Sequence, residues 1–536
     1  MRSTALACAL GLAPHCGVRA QETNEVEQLK RQLQQVQENF ERIQREQKQR
    51  IEALTQKLDN VVRQLAAEAE KKKLEQELIT SLRTNRPAAT VQADTTPVVG
   101  ASKPQPEVAG EKKPWLPTDP IRIGGARAYM DIGLVGTFAA GGSTAADIEG
   151  GTQLGGHDPN QRGFTVQGVE ANFAGAVDPY FRGNANLAFL LNSQGESSVE
   201  LEEAWLETIA LPWNLQVRAG QVLTEFGRIN TQHPHSWAFV DTPLVNGRFF
   251  GPDGLRNPGA RLSWLMPTPF YSELFLTVQN SQGETASSFR SGGHSHGGGE
   301  GAEELPFAYR HPDNDRGVKS LGDLLFTPRY AVSFDLTELQ TLVLGASAAF
   351  GPNSSGGAGD TTTQIYGLDA YWKWKPANAH GGFPFVSLQA EVMFRRYEAG
   401  AFDWQEAADA GGTPIMNEDT GLPAVLGQET LTDYGFCAQL LYGFRTGWVA
   451  GLRGDFVTGD EAEYEKMALT LKGEPLGRDP QRAQRWRISP NLTWYPTEFS
   501  KLRLQYNYDD RQDIGIDHSV WLQFEFVLGA HAAHKF

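Results

Sequence analysis

The hydrophobic pattern of the chain changes its period once. From Gln21 to Arg83 there is neither Gly nor Pro, and apolar residues fall at Val26, Leu29, Leu33, Val36, Phe40 and Ile43. Those steps alternate three and four, the seam of a coiled coil. Gln47 interrupts the seam, which resumes at Ile51, Leu54, Leu58, Val61 and Leu65, as a four-residue stutter produces. The spacing predicts a helix over 21–85. Its apolar stripe is too narrow to be stable alone, so it needs partner helices, most simply copies of itself.

Between residues 86 and 120 the helical pattern stops. Pro87, Pro97, Pro104, Pro106, Pro114, Pro117 and Pro120 interrupt an Ala, Thr and Val background, which predicts an extended linker. From Ile121 onward the period is two. Val520, Leu522, Phe524, Phe526 and Leu528 take one face of the last strand, with Gln523 and Glu525 on the other. Leu502, Leu504, Tyr506 and Tyr508 alternate in the same way with Arg503, Gln505, Asn507 and Asp509. Phe181, Ala185, Leu187, Phe189 and Leu191 oppose Arg182, Asn184 and Asn186; Trp213, Leu215, Val217 and Ala219 oppose Asn214, Gln216 and Arg218.

Alternation alone fits a soluble sandwich or a membrane barrel; loop lengths separate them. Short links at Asp178–Tyr180, Leu211–Trp213, Pro267–Pro269, Thr337–Glu338, Arg445–Gly447 and Pro496–Glu498 alternate with longer ones. The longest span 224–257, 281–326, 397–429 and 458–483. Tight turns at one end and long loops at the other mark a transmembrane barrel. The fold class expected over 121–536 is therefore an all-β transmembrane barrel of about 16 antiparallel strands, preceded by the α-helical coiled coil. An even strand number puts both barrel ends beside the short turns, hence beside the coiled coil in the periplasm. Trp205, Trp213, Trp264, Tyr271, Trp372, Trp374, Trp494 and Tyr495 lie near strand ends, where rings sit at lipid–water boundaries.

Composition narrows the picture. Mean hydropathy is -0.40 and no run of about 18 apolar residues occurs, which excludes a transmembrane helix but not strands. The formal net charge of -16 argues against a nucleic-acid partner. Cys8 and Cys16 lie in the first twenty residues; beyond them only Cys437 remains, so a disulfide framework is not expected. Arg2, the small apolar run Ser3–Ala13 and Val18-Arg19-Ala20 before Gln21 read as an export signal over 1–20, interrupted by Pro14, His15 and Cys16. A Gly-x-Ser-x-Gly elbow, a His-Glu-x-x-His motif and a P-loop are all missing, so neither an enzyme nor a cofactor is expected.

The stretch Val217-Arg218-Ala219-Gly220-Gln221-Val222-Leu223-Thr224-Glu225-Phe226-Gly227 resembles the strand-and-loop of the phosphate-selective porin O and P family. Gly254–Pro267 is similar to it as well, and the resemblance covers about residues 121–536. The ending Leu528–Phe536 resembles barrels labelled TonB-dependent receptors, but a coiled coil and linker stand where their plug would be. The porin resemblance implies passive diffusion of small hydrophilic solutes or ions, including anions such as phosphate, through a homotrimer in outer-membrane lipid. Phosphate specialists carry ladders of lumen Arg and a Lys cluster. Here the lumen phase mixes Arg182, Arg218, Arg487 and Arg503 with Glu200, Glu202, Glu391 and Glu525, and selectivity follows such rings.

The segment after Thr224 carries Glu225, Arg228, His233, His235, Asp241 and Arg248 and is the best candidate to fold inward and narrow the pore, with Arg228 and Arg248 as pore-lining cations. His294 and His296, in a Gly-rich loop, form a candidate metal site with Glu300 or His311. Asp460, Glu461, Glu463 and Glu465 form an acidic loop that could collect cations. Two further function classes follow: a tether from outer membrane to periplasm through the coiled coil, and a plug-less, metal-responsive receptor.

Overall fold

The computed structural model describes residues 121–124, 128–148, 154–283, 285–290, 305–312, 317–356, 360–409 and 412–529. The export signal, the coiled coil, the linker, His294, His296, Glu300, His531, His534 and Phe536 lie outside the described residues.

Sixteen long strands form one antiparallel sheet that closes on itself. The first eight are β1 (Tyr129–Ser143), β2 (Gly163–Ala176), β3 (Phe181–Leu191), β4 (Ser197–Thr208), β5 (Leu215–Leu223), β6 (Arg256–Leu265), β7 (Tyr271–Asn280) and β8 (Leu324–Thr337). The others are β9 (Gln340–Pro352), β10 (Thr362–Trp374), β11 (Phe385–Ala399), β12 (Glu429–Arg445), β13 (Trp448–Gly459), β14 (Arg485–Thr497), β15 (Ser500–Arg511) and β16 (Gly515–Gly529). Each pairs with its neighbour in sequence, and β1 closes the ring against β16 from Gly133↔Gly529 to Ser143↔Ser519. Closure gives every long strand a partner on both sides, as backbone in lipid requires. A short strand, Ile121–Gly124, pairs with the start of β1.

The faces are inverted relative to a soluble protein. On β16, Asp517, Ser519, Trp521, Gln523 and Glu525 are buried inside, while Val520, Leu522 and Phe524 are 43–49% exposed outside. Leu274 and Leu276 on β7, Leu368 on β10, Val392 on β11 and Leu452 on β13 continue this outward apolar belt. A continuous belt of this size is intolerable in water and is what the hydrocarbon of a bilayer demands. The barrel is built to cross a membrane.

The links separate as the hydrophobic pattern implies. One end carries turns such as 338–339, 446–447 and 498–499, and the other carries 144–162, 224–255, 281–323, 400–428 and 460–484. Two links on the long-loop end are nevertheless short, 192–196 and 512–514. Trp213 is fully outside at a short turn, and Trp448 and Trp494 stack with centroids 5.8 Å apart near that end. Two expected boundary rings face inward instead. Trp205 donates its indole N–H to Glu203 at 3.1 Å and lies under the Arg218 guanidinium, 3.9 Å away. Tyr495 packs with Phe383, Phe385 and Val449.

At the long-loop end, parts of 305–312, 400–428 and 460–484 share a second apolar core around Tyr309, Trp404, Leu431 and Tyr464. The acidic loop belongs to this cap. Glu465 is tied to Arg478 at 2.5 Å and Arg482 at 3.3 Å, and Glu463 to Lys466 at 2.7 Å. Those carboxylates are engaged by the protein's own cations.

Candidate functional site

The 224–255 segment turns inward and runs through the barrel. It begins where β5 ends, and Gly227 makes the entry possible. Its φ is +60°, and a Cβ there would lie 2.4 Å from the Glu391 carboxylate. Without that Cβ the backbone closes on the wall. Arg228 and Ile229 donate their N–H groups to Glu391 Oε1 at 2.7 and 2.8 Å, and Gly227 donates to Ser347 Oγ at 3.1 Å.

Apolar packing anchors both ends of the segment. Phe226, Ile229 and Leu255, with the short helix α1 (Leu244–Phe250), bury Leu244, Val245, Phe249 and Phe250. Their partners are Leu325, Ala349, Ile365, Met393, Cys437 and Val457. These six come from β8 to β13 in turn, each from the otherwise polar inner face. Together they form an apolar nest in the lumen wall. Each large side chain buried there contributes about 1.5–3 kcal/mol.

Between the anchors, residues 233–241 cross from an acidic wall to a basic one. On the basic side, Asp241 accepts from Arg453 at 2.6 Å and Arg487 at 3.0 Å, and from Gln505 and Asn507 at 2.9 and 2.8 Å. Burial alone would push the Asp241 carboxyl up, but Arg453 and Arg487 hold it below the usual carboxylate range. Lys501 donates to the His235 carbonyl at 2.6 Å, and Arg503 to that of Trp237 at 2.9 Å. Asn491 reaches the Ala238 carbonyl at 2.9 Å. The basic clamp therefore comes from β13, β14 and β15.

On the acidic side, Glu202 and Glu203 of β4 both point inward. Two adjacent residues on one face break the two-residue period, and a β-bulge is the cause: Asn186 pairs with Glu203 and Leu187 with Leu201, leaving Glu202 unopposed. A second register shift in β2 falls beside Gln167, whose amide donates to the Val240 carbonyl at 2.9 Å. Glu170 of β2 completes the acidic wall. His233 faces Glu202 at 3.2 Å through Nδ1 and Glu203 at 3.0 Å through Nε2. His235 Nδ1 meets Glu170 at 2.8 Å. His157, from the 144–162 link, lies 3.3 Å from Glu202. Burial disfavours the His157 charge, but the hydrogen bond and charge of Glu202 outweigh it and push the imidazole up to about 9.

All the expected pore residues within β3–β16 reach the interior, but each has a partner. Arg182 and Arg218 converge on Glu207 at 2.6 and 2.8 Å. Glu200 binds Arg256 at 2.5 Å, Arg487 also engages Asp509 at 2.7 Å, and Glu525 binds Lys501 at 2.7 Å. Arg503 donates to Thr493 at 3.0 Å and Gln523 at 2.8 Å. In the segment itself, Arg228 lies over the Tyr371 ring at 4.3 Å, and Arg248 donates to the Ala483 carbonyl at 3.2 Å. His311 rests against Phe402 and Trp404, and the metal ligands expected beside it, His294, His296 and Glu300, lie outside the described residues. The pattern reading missed Glu170, Glu203 and His157. Glu203 is out of phase without the bulge, and His157 and Glu170 join the site only through tertiary contact; the adjacent Glu202-Glu203 pair was the available signal.

No family model matches the chain. Solved structures with a similar fold include the outer membrane channel DcaP of Acinetobacter baumannii, 12% identical, covering 75% of this chain and 98% of that one with a TM-score of 0.45. Salmonella typhi OmpF in complex with daunomycin is 11% identical over 76% of this chain and 100% of its own, TM-score 0.42. Pseudomonas putida OprB is 11% identical over 75% and 94%, TM-score 0.37. A curated relative from Aquifex aeolicus (strain VF5), described as an uncharacterized protein, is 31% identical over 405 residues, 71% of this chain and 73% of the relative. That identity, sustained over most of both sequences, shows common descent, and the chain belongs to the family of this Aquifex aeolicus protein.

Proposed function

We propose that the protein is an outer-membrane diffusion channel for small hydrophilic solutes and ions, narrowed by the 224–255 segment. The observation that carries this reading is the inward course of that segment, clamped to opposite lumen walls by charge and to β8–β13 by apolar packing. An inert membrane anchor has no need of a polar interior or of a loop crossing it. The acidic wall on one side of the segment and the basic wall on the other are paired within the protein, so a strong preference for either sign of ion is not expected. The lumen arginines do not favour phosphate, because Asp241, Asp455 and Asp509 already neutralise Arg453, Arg485 and Arg487.

Trimeric assembly and a periplasmic stalk formed by residues 21–85 complete the proposal, resting on the coiled-coil pattern of the sequence. Planar-bilayer recording tests the channel itself. Stepwise conductance, with a reversal potential in a salt gradient that replacing chloride by phosphate leaves nearly unchanged, is the expected result. Complete absence of steps from folded protein would refute it.

A further inference from the structure

The acidic wall and the crossing segment meet in a nest that does more than neutralise charge. We infer that Glu170, Glu202 and His233, with His235 beside them, bind one divalent transition-metal ion of the zinc class, which bridges the segment to the barrel wall. This holds whether or not the barrel conducts.

Geometry is the first support. His233 Nδ1 lies 3.2 Å from Glu202 Oε2 and 3.8 Å from Glu170 Oε2. The ligand atoms of these three residues all fall within 4.8 Å of one another. A tetrahedral zinc with bonds of about 2.0–2.1 Å separates its ligands by about 3.4 Å, between the two observed edges. Small side-chain shifts would therefore bring all three onto one ion. His235 Nδ1, 2.8 Å from the same Glu170 oxygen, orients that carboxylate, and water would complete the coordination.

Chemistry is the second. Imidazole nitrogen with carboxylate oxygen suits zinc, nickel or cobalt, whereas calcium and magnesium prefer oxygen alone. Three buried carboxylates, Glu170, Glu202 and Glu203, crowd this nest. Of the fixed cations nearby, Arg256 is 3.8 Å from Glu202 but closes on Glu200 at 2.5 Å, and Lys501 is taken by Glu525 at 2.7 Å. His157 faces Glu202 at 3.3 Å and balances one of the three carboxylates, and a divalent ion held by His233 would supply counter-charge to the others.

The surroundings are the third. His157 Nδ1 lies 3.1 Å from the Gln167 carbonyl, which orients the ring and turns Nε2 toward Glu202. Such outer partners hold metal-binding carboxylates in place. A cavity bounded by His157, Glu202, His233, Trp237 and Arg256 opens directly onto the nest, giving an ion a resting place. The bulge lets Glu203 face inward beside Glu202; without it one of the two adjacent glutamates would face lipid.

The test uses full-length protein folded in detergent micelles, stripped with chelator and titrated with zinc chloride by calorimetry. One zinc per chain is expected. The pair Glu202→Gln and His233→Gln should weaken binding more than tenfold, while the pair His294→Ala and His296→Ala leaves it unchanged. X-ray absorption of the zinc-loaded wild type needs no variant and should show nitrogen and oxygen neighbours at about 2.0–2.1 Å with imidazole scattering. Overturning results are a lack of saturable binding, a sulfur neighbour, or binding abolished by the His294 and His296 changes but not by those at Glu202 and His233.

Discussion

The two parts of the 224–255 segment are held by different forces. Its ends, around Phe226 and α1, sit in the apolar nest of β8–β13. Its middle, from His233 to Asp241, is held mainly by charges and hydrogen bonds to β2, β4 and β13–β15, with Val240 in a small apolar cluster with Ile148 and Trp521. Apolar packing responds little to acid or metal. Buried charge pairs depend on every partner being present and ionised. The difference teaches that the ends fix where the segment lies and the middle sets how firmly it closes the lumen.

The largest expected effect comes from the middle. Asp241→Ala leaves Arg453 and Arg487 buried with one counter-charge removed, and should cost about 3–5 kcal/mol in a urea titration of the folded barrel. Conductance should rise and the reversal potential shift toward anions. At the ends, Phe249→Ala opens a cavity beside Met393 and Val457 and should cost about 3 kcal/mol. Its reversal potential should stay put, because no charge is lost. If both variants alter ion preference equally, the distinction between ends and middle fails.

A gentler probe of the same contrast is acid. The Asp241 carboxyl is depressed in the folded protein, so its stabilising contribution is present above the unfolded value of about 3.9 and is lost as pH falls through the lower folded value. Open-channel current should therefore grow noisier below about pH 4 in wild type. An Asp241→Asn protein should lack that component. Smaller again is Arg182→Ala at the short-turn mouth. Its side chain is half exposed and Glu207 retains Arg218 and Arg261, so stability should change by less than about 1 kcal/mol.

Much of the barrel was legible because lipid enforces a strict alternation. Val520, Leu522 and Phe524 announced their strand, and the short turns announced which end was which. The inward course of the 224–255 segment was legible as a long, charged, aromatic-rich loop. The wall that receives it was less so. Ile365 lies between outward-facing Gln364 and Tyr366, an apolar residue in a polar phase that alternation alone cannot interpret. Glu203 and Trp205 were hidden by the bulge at Glu202, which slips the phase within β4. The pairing of Asp241 with Arg453 and Arg487 joins residues more than 200 positions apart, and nothing local in the sequence encodes it.

The inward segment is best tested by single-channel conductance after replacing residues 228–253 with a short Gly-Ser link. A wider lumen should raise the unitary conductance several-fold while the barrel still folds and inserts. An unchanged conductance from a folded, inserted protein would mean that the segment does not narrow the channel.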